Sequence, residues 1–127
     1  EDKKISGRVV YTDRLAPLSE EFGNNILELL KKNSDLDGIF ATSDVMAANI
    51  IRACKKMGKR VPEDISIVGF DDTWISTLTY PSITTIHQPV QEMCEYAIEA
   101  IVKKVKSEKV PSQVVFPVEL IDRESTK

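Results

Sequence analysis

The stretch ISIVGFDD, residues Ile65–Asp72, decides the fold class of this chain. Its first six residues are apolar or small, and β-branched isoleucine and valine are prominent among them. This composition predicts a strand that is buried on both faces, as in a parallel sheet covered by helices. Two carboxylates, Asp71 and Asp72, follow where the strand ends. They are therefore expected at the carboxyl edge of such a sheet, where open α/β sheets bind their ligands.

Strand-like and helix-like patterns alternate on either side of this stretch. Strands are predicted at residues 8–11, 37–42, 65–70, 82–88 and 113–125, and helices at 19–33, 43–59 and 89–109. The order is β-α-β-α-β-loop-β-α-β, with the loop carrying the aromatic segment TWISTLTYPS. Apolar strands that alternate with helices favour an α/β fold: a parallel-sheet, three-layer sandwich with right-handed crossovers.

Size and composition agree with one domain of ordinary globular type. The chain has 127 residues, is 42% hydrophobic and 29% charged, and has a net charge of −3. Because no basic block is present, the sequence offers no electrostatic surface for nucleic acid. No apolar run reaches the roughly 20 residues needed to cross a bilayer. The two cysteines, Cys54 and Cys94, lack metal-ligand spacing, and both are predicted to be buried, reduced thiols.

Short polar side chains follow three of the predicted strands. Asp13 comes after the first strand, Ser43 and Asp44 after the second, and Asp71 and Asp72 after the third. Hydroxyls and carboxylates can exchange hydrogen bonds with a neutral polyol, and a carboxylate suits two adjacent hydroxyls. The sequence therefore predicts a binding edge for a small polar ligand.

Each of these side chains also has a structural alternative. Asp44 begins a helix and is predicted to act as its N-cap, which leaves Ser43 as the better ligand candidate. Asp71 ends a strand and fits either ligand binding or turn formation. Asp72 fits a turn or rim position, and Asp13 fits a simple loop acid.

A small α/β enzyme that uses Asp44, Asp71 and Asp72 is the alternative of a different class. Glycosidase chemistry needs two carboxylates at a set separation, which the sequence does not provide. There is no glycine-rich phosphate loop, no GxSxG and no pair of histidines, and His87 stands alone. The residues favour a non-catalytic binder without cofactor or metal.

Three segments together resemble the effector-binding domain of LacI/GalR-family transcriptional regulators. They are DGIFATSDVMAANIIRACKKMGKRVPEDISIVGFDDT (residues 37–73), YPSITTIHQPVQEM (80–93) and PVELIDREST (117–126). The resemblance implies one lobe of a periplasmic-binding-protein-like fold. Members of this family are cytoplasmic homodimers in which two lobes close on a small sugar-like effector, and closure alters the DNA affinity of an N-terminal helix-turn-helix domain. A sugar-binding component of a transporter shares the fold and remains an alternative.

The resemblance also assigns residues. Ser43 and Asp71 fall on ligand-contact positions, and Asp13 lies in a loop that contributes a ligand contact. The implied dimer interface includes Ala48, Ile51, Trp74, Leu78 and Tyr80. The implied hinge between the lobes includes His87, Gln88 and Pro89.

Parts of the family pattern have no counterpart here. The helix-turn-helix, the first lobe, and the opening strand and helix of the second lobe are missing, so the chain is expected to be the C-terminal portion of a longer regulator. The missing strand would lie between RVVY (8–11) and the strand at 37–42. We therefore expect either direct pairing of these two strands or a partner chain on the exposed edge. The helix after the hinge should pack on its own sheet or on a partner.

Overall fold

The computed structural model describes Gly7 and residues 20–127. The predicted strand at 8–11, its pairing with the next strand, and Asp13 lie outside the described residues. In chain order the elements are α1 Glu20–Lys32, β1 Gly38–Phe40, α2 Asp44–Lys56, β2 Ser66–Phe70, α3 Ile75–Leu78, β3 Thr84–His87, α4 Val90–Val105 and β4 Glu119–Ile121.

The four described strands form one mixed sheet in the order β1-β2-β3-β4. Strands β1, β2 and β3 run parallel, with Phe40 opposite Val68 and Phe70 opposite Ile86. Strand β4 runs antiparallel to β3 and places Glu119 opposite His87. The predicted α/β fold with a parallel sheet is confirmed, and the last strand is a short antiparallel edge. Pro117 precedes β4, where its missing N–H does not interrupt the ladder.

The core lies between one face of the sheet and helices α1 and α2. In β2, Ile67 and Gly69 are buried toward this core, whereas the alternate residues are half-buried. Ile26 and Leu30 of α1 pack into the same cluster as Ala47, Ile50 and Cys54 of α2. On the edge strand β1, Phe40 is mostly exposed and meets Phe70 edge to face.

Helix α4 differs from the other three helices because none of its residues is buried. Its Tyr96 packs edge to face on Phe116, with ring centroids 5.8 Å apart. Packing of α4 on its own sheet, one of the two expectations, is therefore not observed. No helix in residues 20–127 is long and apolar enough to span a membrane.

The two cysteines differ in environment. Cys54 is buried in α2, and burial raises the pKa of its thiol. Cys94 lies on the exposed helix α4, so the prediction of a buried thiol is wrong at this position. The cause is that the apolar stripe of α4, which suggested burial, packs on nothing in the described part of the chain.

The expected loop TWISTLTYPS contains the short helix α3. Its first turn is closed by the Ser76 N–H, which donates to the Thr73 carbonyl oxygen at 2.9 Å, and by the Ser76 hydroxyl, which donates to the same oxygen at 2.7 Å. Serine and threonine hydroxyls stabilise such turns locally. The helix therefore arises from local side-chain bonds that hydrophobic periodicity does not reveal.

We predict that Gly69→Ala lowers the free energy of unfolding by about 1–3 kcal/mol, the usual penalty for overpacking. A Cβ at this position would lie 2.5 Å from Asp44 Oδ1 and 3.1 Å from Ile83 Cγ2. Gly38→Ala is the matched control, because its Cβ would meet only the Ser66 carbonyl oxygen at 3.9 Å. Urea denaturation measures both variants. Equal stability of the two would contradict the proposed close approach at Gly69.

Candidate effector-binding edge of the sheet

The carboxyl ends of β1 and β2 meet at one edge of the sheet. These strands are parallel neighbours, and the Ala41 N–H continues the ladder by donating to the Val68 carbonyl oxygen at 2.8 Å. Asp71 follows β2 directly and Ser43 lies three residues after the end of β1, and both residues are half-buried. Both residues therefore lie at the carboxyl edge of the sheet, and neither is buried in the core.

The predicted helix cap at Asp44 is wrong. Helix α2 is capped by Ser43, whose backbone is extended and whose Oγ accepts a hydrogen bond from the Met46 N–H at 3.2 Å. Asp44 is the first helical residue, and its acidic side chain suits the positive end of the helix dipole. Because an N-cap residue must have non-helical dihedrals, the cap falls one residue earlier than predicted.

Asp44 instead forms a buried link between three elements. Its side chain is 1% exposed and accepts hydrogen bonds from the Thr73 N–H at 2.6 Å, the Thr73 hydroxyl at 3.0 Å and the Thr85 hydroxyl at 2.5 Å. These bonds join α2 to β3 and to the segment that leads into α3. A buried carboxylate is tolerated when its oxygens are satisfied in this way.

Asp71 combines an unusual backbone with a partly occupied carboxylate. Its φ is +100°, a region rarely adopted by residues other than glycine. The Asp71 N–H donates to the Ile86 carbonyl oxygen at 3.0 Å, and Oδ1 accepts from Gln88 Nε2 at 2.8 Å. Within residues 20–127 no donor reaches Oδ2, so this oxygen can accept a hydrogen bond from a ligand hydroxyl.

Both carboxylate oxygens of Asp72 are bound by other side chains of the protein. Its Oδ1 accepts from Arg123 Nη2 at 2.7 Å, and its Oδ2 lies 3.0 Å from His87 Nδ1. Burial acts to raise the pKa of this carboxyl, but the hydrogen bonds and positive charges of Arg123 and His87 outweigh burial and hold the pKa below its ordinary value. Asp72 is therefore a rim residue with a structural partner, one of the two roles expected for it.

Sequence reasoning did not identify Arg123. Besides Asp72, its guanidinium donates to Ser76 Oγ at 3.0 Å and to the Ile83 carbonyl oxygen at 2.9 Å. The available signal was chemical: a half-buried acid at a strand end needs a cation, and arginine provides several donors in a fixed plane. Ser125, two residues later, was also missed; it is buried and bonds to Ile67 and Thr84 across β2 and β3.

The residues predicted for the dimer interface separate into two groups. Trp74, Leu78 and Tyr80 are 71%, 73% and 88% exposed, as an interaction surface requires. Ile51 is only 7% exposed and belongs to the core, so its assignment to the interface is corrected: a side chain already packed in the core offers little to a partner. Ala48 is half-buried against the same core.

The predicted hinge lies directly beside the two acids. His87 is the last residue of β3, and Gln88 and Pro89 connect it to the exposed helix α4. His87 contacts Asp72 and Gln88 contacts Asp71, so each acid holds one hinge residue. In the described part of the chain, no three His, Cys, Asp or Glu side chains form a metal-binding group.

We predict that Asp44→Ala lowers the free energy of unfolding by at least about 3 kcal/mol, because it leaves three donors unpaired: the buried Thr85 hydroxyl and the N–H and hydroxyl of the half-buried Thr73. Ser43→Ala is the matched control and should cost only about 1 kcal/mol, the usual value for a lost N-cap. Chemical denaturation of both variants tests the reassigned roles. A larger loss for Ser43→Ala than for Asp44→Ala would contradict them.

Comparison with known proteins extends these observations to the family. Residues 8–126 match the family described as periplasmic binding protein-like domain. The transcriptional regulator MalR of Clostridium butyricum is 42% identical over 101 residues, which are 80% of this chain and 30% of MalR. The chain thus spans less than a third of the length of that relative.

Solved structures lead to the same family. A transcriptional regulator CelR in complex with cellobiose superimposes with a TM-score of 0.76 and 33% identity, over 81% of this chain and 32% of CelR. The lac repressor dimer bound to operator and the anti-inducer ONPF gives a TM-score of 0.75 and 28% identity, over 81% of this chain and 36% of the repressor. These relatives are regulators rather than enzymes, which agrees with the non-enzymatic prediction. The chain belongs to the periplasmic binding protein-like domain family, and over about 80% of its length it is similar to part of these transcriptional regulators.

Proposed function

We propose that this chain is the C-terminal lobe of the ligand-sensing domain of a LacI/GalR-type transcriptional regulator, and that it binds a small sugar-like effector and contributes the dimer contact. The observation that carries the proposal is the rim formed by Ser43 and Asp71 at the carboxyl edge of β1 and β2. The first lobe and the DNA-binding domain would be supplied by parts of the regulator outside this chain.

The chemistry of the rim suits a neutral, hydroxyl-rich ligand. Gln88 occupies Oδ1 of Asp71, which leaves Oδ2 as a charged acceptor at an edge that opens to solvent. A hydrogen bond from a hydroxyl to a carboxylate is stronger than one to a neutral acceptor. A polyol that donates one hydroxyl to this oxygen is therefore bound more tightly and in a defined orientation. The relative CelR was solved with cellobiose, a ligand of this chemical class.

The hinge contacts give a route from effector to DNA. Closure of a first lobe over the rim would move α4 relative to the sheet, and Asp71 holds Gln88 at the start of that connection. An effector that binds the closed form more tightly shifts the population toward that form. Because binding at two coupled sites is reciprocal, the same coupling free energy changes the affinity for DNA. Operator DNA would be contacted only through the helix-turn-helix domain, in the cytoplasm, where such regulators meet DNA.

The second functional surface is a homodimer contact through Trp74, Leu78 and Tyr80. Three large apolar side chains on one short segment are unusually exposed, and aromatic residues are enriched at protein interfaces. The related lac repressor was solved as a dimer. A second copy of this chain is therefore the partner that we propose.

We predict that Asp71→Asn in the full-length regulator weakens sugar binding by about tenfold to a hundredfold, because a charged acceptor is lost. A thermal-shift screen against D-ribose, D-glucose, maltose, cellobiose and lactose identifies a binding sugar, and calorimetry with that sugar compares the variants. Asp64→Asn, which alters a surface acid paired with Arg60, is the control and should bind normally. A screen without any shift, or an unchanged affinity of Asp71→Asn, would contradict the proposal.

We predict that Leu78→Glu combined with Tyr80→Glu converts the full-length regulator to monomers, because it places charges in an apolar contact. Light scattering at micromolar concentration measures the mass. Asn24→Glu with Asn25→Glu adds the same charge to two exposed positions of α1 and should leave the dimer intact. A dimeric mass for the Leu78/Tyr80 variant would show that the contact lies elsewhere.

A further inference from the structure

The exposed side chains of Trp74, Leu78 and Tyr80, here called the α3 surface, lie on and directly beside a helix of only four residues, Ile75–Leu78. A helix of this length has no stability of its own, so its position must be fixed by contacts from outside. Two buried polar contacts provide this. On one side, Asp44 binds Thr73, the residue before the surface. On the other side, Arg123 binds the helix itself.

Arg123 contacts α3 through a fully buried residue. Its Nη1 donates to Ser76 Oγ at 3.0 Å, and Ser76 is in the middle of α3 with no exposed surface. The same nitrogen donates to the Ile83 carbonyl oxygen at 2.9 Å, and the Ile83 N–H returns a bond to the Ser76 carbonyl oxygen at 2.7 Å. Because the guanidinium is planar and its donors diverge at fixed angles, one side chain sets the distance between α3 and the start of β3.

Arg123 also contacts the strands on either side of α4, β3 and β4, here called the hinge strands. It follows β4, and its backbone N–H donates to Thr84 Oγ1 of β3 at 2.9 Å. Its Nη2 binds Asp72, and the other oxygen of that carboxylate contacts His87 at the hinge end of β3. His87 in turn lies opposite Glu119, the first residue of β4. The side chain of Arg123 therefore joins the two strands that lead to and from α4 to α3, through an ion pair with Asp72 and a hydrogen bond to Ser76.

We propose that Arg123 is a positioning residue that couples the hinge to the α3 surface, acting through Asp72 and Ser76. The proposal rests on the proposed dimer contact and deepens it by naming the residue that sets its geometry. When the hinge strands shift on effector binding, the guanidinium moves Ser76, and the exposed side chains on either side of it change their orientation toward the partner.

The test uses the full-length regulator labelled with 5-fluorotryptophan. Trp74 is the single tryptophan of this chain, and its fluorine resonance is identified by its loss in Trp74→Phe. Arg123→Met keeps the aliphatic stem of the side chain and removes every hydrogen-bond donor of the guanidinium. We expect the Trp74 resonance to shift or broaden and the dimer dissociation constant, measured by sedimentation equilibrium, to rise by about tenfold or more.

The matched control is Arg60→Met. Arg60 also pairs with an aspartate, Asp64, at 2.7 Å, but this pair is exposed and remote from α3. It should change neither the resonance nor the dissociation constant. Ile65→Val supplies a second control, because it removes one methyl group from the core and lowers the melting temperature without touching α3. If Ile65→Val weakens the dimer as much as Arg123→Met, the role of Arg123 is only structural and the proposal is overturned.

A double-mutant cycle tests the stated route. If Arg123 acts through Asp72, adding Asp72→Asn to Arg123→Met should weaken the dimer little further than Arg123→Met alone. If the losses of dimer affinity caused by Arg123→Met and Asp72→Asn are instead additive, Arg123 does not act through Asp72 and the proposed route is overturned. If Arg123→Met fails to fold, Arg123→Lys replaces it; lysine keeps the charge but lacks the planar fork, so the resonance should still shift, and an unchanged resonance would overturn the proposal.

The same measurements separate this inference from the proposed function. A monomeric wild-type regulator would remove the dimer proposal, whereas the fluorine resonance would still report whether Arg123 positions α3. A dimeric wild type whose resonance and dissociation constant are both insensitive to Arg123→Met would remove only the inference about Arg123.

Discussion

The carboxyl edge of the sheet, where we propose that the effector binds, depends on the hydrogen bonds of the buried Asp44 carboxylate. This carboxylate enters the space left by Gly69, where any larger residue would collide with it, and it accepts the N–H and hydroxyl of Thr73 and the hydroxyl of Thr85. Removing such a carboxylate from water is costly unless its oxygens are satisfied, and here every bond comes from a different backbone or side-chain donor. As a result, Asp44 fixes the positions of the first turn of α2, strand β3 and the segment before α3 relative to one another.

Because the Asp44 carboxylate is used as a buried hydrogen-bond acceptor, the residues near it have other roles. Ser43 caps α2 through its hydroxyl, while Asp72 pairs with Arg123. Asp71 keeps one carboxylate oxygen without a protein donor in the described region. Of Asp44, Asp71 and Asp72, Asp71 is thus the acid with an oxygen left for a ligand, and it contacts Gln88, which lies in the proposed hinge.

Hydrophobic patterns predicted the sheet and the helices because burial imposes the same periodicity in every α/β fold. The strands β1, β2 and β3 and the helices α1, α2 and α4 were found near their expected places, and the rim followed from the parallel order of β1 and β2. Resemblance added the family, which periodicity alone could not supply. The role of Asp44 was missed because a cap and a buried acceptor have the same sequence signature, an acid at a helix start. Arg123 was missed because its partners lie 40 or more positions away in the chain. The burial of Ile51 and the exposure of Cys94 depend on which helix face finds a neighbour, which is a property of the assembled fold.

The backbone of Asp71 has a consequence for how proteins of this kind could change their ligand. A φ of +100° is easily reached by glycine and is uncommon for other residues, with asparagine and aspartate the usual exceptions. Few side chains can therefore replace this acid without bending the end of β2. Diversification of effector preference should consequently spare this position and concentrate where the backbone is unstrained, such as the extended residue Ser43.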